Sequence, residues 1–162
     1  MTNPLLTTPA VVTTKKYTPN GLISKRDNLI LDIKDLWFKL SKNNIVTNGT
    51  KQLFDLNAIY KQLAQKEIDL VKTKLAIQAI NMGFKTLDAL PENNVYTQIY
   101  LLQQLKERKV KLEKVPTRKN ENESVIFTKG FIDAEITKVS GDIDKIQKEI
   151  NEFNSNVEFT EK

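Results

Sequence analysis

The side chains of this chain that could do chemistry are carboxylates, and they come in pairs: Asp32 with Asp35, Glu67 with Asp69, Glu121 with Glu123, Asp142 with Asp144. Two carboxylates can divide acid and base roles or hold a hard cation, but only where they converge in a pocket. Residues two apart on a helix diverge, and residues three apart usually share a solvated face. None of the four pairs therefore predicts a catalytic or metal site. The chain has no histidine and no cysteine. That removes disulfides, thiol catalysis, structural zinc, haem ligation and the commonest general base together. No glycine-rich phosphate loop, calcium loop or Ser–Lys dyad at a recognised spacing appears. The expectation is a protein that is not an enzyme, with no catalytic residue, no metal, no cofactor and no small-molecule substrate.

Positive charge is the second chemical resource. Between residues 106 and 119 stand Lys106, Arg108, Lys109, Lys111, Lys114, Arg118 and Lys119 against Glu107 and Glu113, seven basic groups to two acidic ones. A cluster of this kind can neutralise phosphates, with Lys111, Lys114 and Arg118 aligned, which makes these seven residues the candidate polyanion-binding set. Only three arginines stand among the 25 basic residues, however, whereas base reading and bidentate phosphate contacts favour arginine. Nearby aromatics are limited to Tyr96, Tyr100 and Phe127, too few for a stacking platform. A solvated lysine face accounts for the cluster better, and lysines late in a helix also complement its dipole. Residues 131–162 lean the other way, with eight acidic residues against four lysines, so the two regions could attract each other.

These groups must be carried by helices. Length and composition, with 162 residues of which 40% are hydrophobic and 28% charged, fit one soluble domain with a modest core. No apolar run approaches the roughly 18 residues of a membrane span, and the N-terminus lacks the layout of a secretory signal. A cytoplasmic protein, or a component of a particle assembled inside the cell, is expected. Residues 1–20 carry Pro4, Pro9 and Pro19 among threonines and read as an extended or disordered arm, apolar enough to lie on another surface. Residues 21–159 read as a single helical domain. A first helix is predicted from Leu22 to Lys42, opened by Ser24 and Asp27 as a capping pair, with Trp37 in the core. Phe38 beside it is also read as core, and would mark an interface only if it lay outside. The stretch 43–50 reads as a loop turning at Asn48-Gly49. A second helix, Gln52 to Met82, is closed by Gly83 and carries two apolar stripes, so it should be central. A third runs from Val95 to Lys114 with Ile99, Leu101, Leu102, Leu105 and Leu112 inward, and Pro116 ends it. Ser124 to Thr128 is a short β-like run.

The most regular pattern follows. Ile132, Ile136, Val139, Ile143, Ile146, Ile150, Phe153 and Val157 alternate in steps of four and three through a helix from Phe131 to Asn156. That heptad repeat puts a narrow apolar seam on one side, which must meet a partner helix. The second helix is the expected partner, so the seam forms one wall of an antiparallel fold.

The order of these segments resembles the septicolysin-like family, small helical bacterial proteins of poorly defined function. The resemblance covers residues 22–159. It lies in Leu22 to Asp27, in the helix ending at Lys42-Asn43-Asn44-Ile45-Val46-Thr47-Asn48-Gly49, and in Ile77-Gln78-Ala79-Ile80-Asn81, like the family's "IxxIN". It continues in Thr86-Leu87-Asp88-Ala89-Leu90, like its "TLxxAL", and in Glu123 to Phe127 with the heptad helix and Asn151-Glu152-Phe153-Asn154. Pro91-Glu92-Asn93-Asn94 departs from the continuous charged helix start of the family. The resemblance implies the fold and little about function.

Together these readings predict an all-α protein, four helices in elongated antiparallel, coiled-coil-like hairpins with an N-terminal arm. It would be a structural or interaction protein acting by helical packing, as a homo-oligomer or within a larger protein assembly, with no membrane partner. The alternative is a nucleic-acid-binding accessory protein using residues 106–119.

Overall fold

The computed structural model describes residues 15–92 and 94–161. Four helices dominate: α1 (Pro19–Asn43), α2 (Leu56–Asn81), α3 (Tyr96–Glu113) and α4 (Lys129–Asn156). Two short strands, β1 (Ile45–Thr47) and β2 (Glu123–Val125), pair antiparallel with Ile45 opposite Val125 and Thr47 opposite Glu123. The fold is all-α, as the periodicity predicts.

Local chemistry sets each boundary. Thr18, not Ser24, caps α1: its hydroxyl accepts from the Gly21 N–H at 3.1 Å, and Pro19 occupies the first turn, where a missing N–H costs nothing. The first helix therefore starts three residues earlier than expected, and Pro19 and Asn20 belong to it rather than to the arm. Of the rest of the expected arm, residues 15–18 lead into the helix as exposed chain without regular structure, and residues 1–14 lie outside the described residues. Asp55 caps α2 through the Ala58 N–H and Thr128 caps α4 through the Phe131 N–H. Gly83 ends α2 as expected, at φ 88°. Its N–H donates to Ile80 and the Phe84 N–H reaches back to Ala79, both at 2.9 Å, the paired bonds of a Schellman turn. In the connection to α3, a 3₁₀ turn covers Leu87–Ala89, and the Asn94 side chain accepts from the Tyr96 and Thr97 N–H groups.

Neighbouring helices run antiparallel. Asp32 meets Lys66 and Trp37 meets Tyr60 between α1 and α2; Glu67 meets Arg108 and Gln78 meets Tyr100 between α2 and α3. α4 lies along α3, not along α2. This corrects the partner expected for the heptad seam. α2 touches α4 mainly by reach, as where the Tyr60 hydroxyl donates to Glu135 at 2.8 Å. α2 is central in another sense: its two stripes are divided between α1 and α3.

The larger core gathers Trp37 and Leu40 of α1, Leu56, Ile59 and Leu63 of α2, Leu112 and Val115 at the end of α3, and Phe127, Ile132 and Val139. A smaller cluster of Val71, Leu75, Ala79, Leu90 and Leu101 fills the opposite end, with Phe84, Tyr96, Tyr100 and Ile146 packed on it. The seam of α4 spans both and thins along its length. Ile132 and Val139 are buried; Ile136, Ile143, Ile146, Ile150 and Phe153 are half-buried. Val157 stands just past the helix end, 57% exposed, and is not a working member of the seam.

Candidate functional site

Three perturbed titratable groups, Tyr60, Glu67 and Arg108, gather between α1, α2 and α3, while a fourth, Tyr100, is raised by burial beside the smaller cluster. Arg108 and Glu67 face each other at 2.7 Å, both buried. The guanidinium carbon lies 4.6 Å from the centre of the Tyr60 ring and 5.9 Å from that of Trp37, so the cation is held by two aromatic faces as well as by a carboxylate. Tyr60 in turn packs edge-on against Phe127 and Phe131. Burial pushes the Glu67 carboxyl above its ordinary value, and Arg108 pulls it only part of the way back. Only Oε2 is engaged; Oε1 has no hydrogen-bond partner. Burial is the largest single influence and works against the charge of Arg108, but Glu67 and Tyr60 together outweigh it and raise the guanidinium. The Tyr60 hydroxyl is pushed up to about 12, chiefly by burial.

A strongly shifted acid in a cleft marks a candidate active site. Here the acid is sealed between packed helices and faces a fixed cation, a pairing that joins α2 to α3. Spacing alone could have flagged this: Leu101, Leu105, Arg108 and Leu112 step in threes and fours along the inward side of α3. Arg108 therefore leaves the candidate polyanion set.

The rest of that set is on the surface and divided. At 3.6 residues per turn, Lys106 and Lys109 project from one flank of α3 and Lys111 and Lys114 from the other, with the half-exposed Val110 between them. Arg118 and Lys119 follow in the exposed connection to β2. Lys111 and Lys114 thus share a flank, as the expected alignment requires, while Arg118 lies beyond the helix and Lys106 and Lys109 stand on the other flank.

The carboxylate pairs also separate. Asp32 binds Lys66 and Asp35 binds Lys39; Asp69 accepts from Gln65 while Glu67 turns inward; Glu123 accepts from the Asn120 N–H. Among the described residues no three acidic side chains come together to hold a metal ion. An open depression lies beside β1, bordered by Asn43, Val46, Lys51 and Leu53, with Lys51 its one charged group.

One structural residue escaped the sequence reading. Asn44, fully buried at the end of α1, donates through Nδ2 to the carbonyls of Pro116 (2.8 Å) and Phe127 (3.0 Å) and accepts at Oδ1 from the Phe127 N–H (2.7 Å). Its own carbonyl accepts from the Ile126 N–H at 2.9 Å. One amide thus ties the ends of α1 and α3 to the start of α4.

The outward side of α1 is the most apolar surface on the helices. Phe38 is 63% exposed and Leu31 62%, joined by Ile23 and Ile30. Trp37 is core as expected, and Phe38 lies outside. No helix among the described residues is long and apolar enough to cross a membrane. Comparison with protein-family models, with curated proteins and with solved structures found no match.

Proposed function

We propose that this chain is a non-enzymatic structural or interaction protein of the septicolysin-like kind, working by helical packing as a homo-oligomer or within a larger assembly, in the cytoplasm or in a particle assembled there. The observation that carries this reading is the contrast between its polar and apolar groups. The most perturbed ionisable side chains are consumed in holding helices together, whereas large apolar side chains on α1 stand uncovered. Exposed apolar patches of this kind mark protein contacts more often than chemistry. The resemblance to the septicolysin-like family rests on segment order and is part of the proposal. The nucleic-acid reading has weaker support, since its best arginine is buried and its lysines point to two sides.

Light scattering at tens of micromolar tests the proposal. The expected mass is a small multiple of the 18.6 kDa chain. A monomer throughout, with affinity for DNA or RNA that falls steeply as salt rises, would overturn it in favour of the alternative.

A further inference from the structure

We infer that the uncovered face of α1 is a self-complementary, two-fold interface on which a second copy of this chain docks its own α1 antiparallel. The inference rests on the oligomeric reading above and assigns it a surface. Leu22, Leu29, Ile33 and Leu40 turn toward α2, and at 3.6 residues per turn Ile23, Asp27, Ile30, Leu31, Lys34 and Phe38 fall on the other side. All six are exposed.

Their order along the helix is what points to a second copy. Around the midpoint between Ile30 and Leu31, Ile23 and Phe38 stand at equal distances, and so do Asp27 and Lys34. A two-fold axis there, which every isologous dimer must have, brings each residue to its mirror position in the partner. The small apolar end meets the aromatic end, two copies each of Ile30 and Leu31 close one apolar layer on the axis, and each Asp27 faces a Lys34. The two charges that interrupt the stripe are thereby opposite in sign across the contact. A parallel pairing would set each charge against its like.

The monomer leaves these groups ready for exchange. Asp27 is 57% exposed and touches only its neighbour Arg26, an exposed pair worth little in water. Lys34 makes no ion pair among the described residues. Lys42 lies over the Phe38 ring at 5.6 Å on the outer flank, where it can shield the edge of the contact. One helix pair of roughly 22 Å buries less than the ~800 Å² per partner of a standard interface. The dimer is accordingly a weak one, formed at micromolar concentrations.

Charge reversal with rescue tests the pairing on the full-length chain. Asp27→Lys or Lys34→Asp places like charges in contact and is expected to weaken the dimer at least ten-fold by sedimentation. The double variant restores opposite charges and the dimer with them. Both positions are exposed, so circular dichroism and melting should stay unchanged and separate loss of pairing from loss of fold. Because the chain has no cysteine, Asp27→Cys and Lys34→Cys can be mixed and mildly oxidised. The mixed disulfide should form in preference to either homodimeric one. A dimer indifferent to both single reversals overturns the α1 pairing while leaving oligomerisation standing. A dimer lost when residues 1–14 are removed assigns the stripe to that segment and also overturns the pairing. A monomer at every concentration overturns this inference together with the oligomeric reading.

Discussion

The two ends of this molecule are held by different physics. At the end where α1 and α3 finish and α2 and α4 begin, polar groups are buried and, Glu67 Oε1 apart, partnered. Asn44 bonds three backbone groups, β1 and β2 lock the chain crossing, and Glu67 and Arg108 stand behind an aromatic cluster. At the other end, the smaller cluster around Val71, Leu75 and Leu101 draws nothing from α1, and the seam of α4 is left half-covered. Buried polar groups are costly unless satisfied, and once satisfied they accept few alternative arrangements. The partnered end fixes which helix lies beside which. The apolar end supplies contact without the same selectivity, and it should open first.

The largest test of this contrast removes the cation. Arg108→Met leaves Glu67 buried without its partner and should cost about 3–5 kcal/mol at neutral pH, whereas the double change Glu67→Met with Arg108→Met should recover most of it. The pH dependence has a definite sign. Burial raises Glu67 above its ordinary value of 4.5, so the folded chain holds that proton more tightly than the unfolded one. Its contribution to stability is therefore greatest below that value and falls as pH rises through the folded-state pKa. Removing Arg108 lifts the carboxyl further and carries the fall to higher pH. Urea midpoints between about pH 4 and about pH 8 read this directly. A flat profile in the single variant would mean that Glu67 reaches water and that this end is not sealed.

Next in size is Asn44→Ala. It strips the buried Phe127 N–H and carbonyl, and the part-buried Pro116 carbonyl, of their partners, at an expected cost of about 3 kcal/mol. Hydrogen exchange should then report lost protection at Ile126 and Phe127 and at the start of α4, while the cluster around Leu101 keeps its rates. Equal loss at both ends would show that they unfold as one unit and would dissolve the comparison.

Much of this architecture was legible in the residues, and what was not has physical causes. The helices could be read because apolar positions recur at their period, and Gly83 and Pro116 mark where two of them stop. The partner of α4 could not be read, because a heptad states that a seam needs covering and not by which helix. β1 is three residues long, too short to show alternation, so Ile45–Thr47 resembled the loop around it. Asn44 looked like one more loop asparagine beside Asn43. Its role depends on Pro116 and Phe127, more than 70 residues away. Arg108 was hidden by composition: six basic neighbours suggested a surface, whereas its step of four from Gln104 and Leu112 places it inside. Charge content and helical position gave opposite answers there, and position prevailed because Glu67 and two rings were waiting for the cation.

The smallest test asks how much slack α4 carries away from the partnered end. Gly141 lies in the middle of this helix, has no positive φ, and a methyl group added there would meet nothing within 4 Å. Its neighbours Asp142 and Asp144 are exposed, so the position faces water rather than α3. Glycine there costs helix stability without gaining a close approach, and Gly141→Ala should stabilise the chain by about 0.5–1 kcal/mol. If α4 opens from its apolar half independently, the gain will appear in local exchange from Ile143 to Phe153 more than in the global urea midpoint. If the whole helix unfolds only with the ribbon end, the two measurements will move together. The substitution therefore measures coupling between the ends as well as helix propensity.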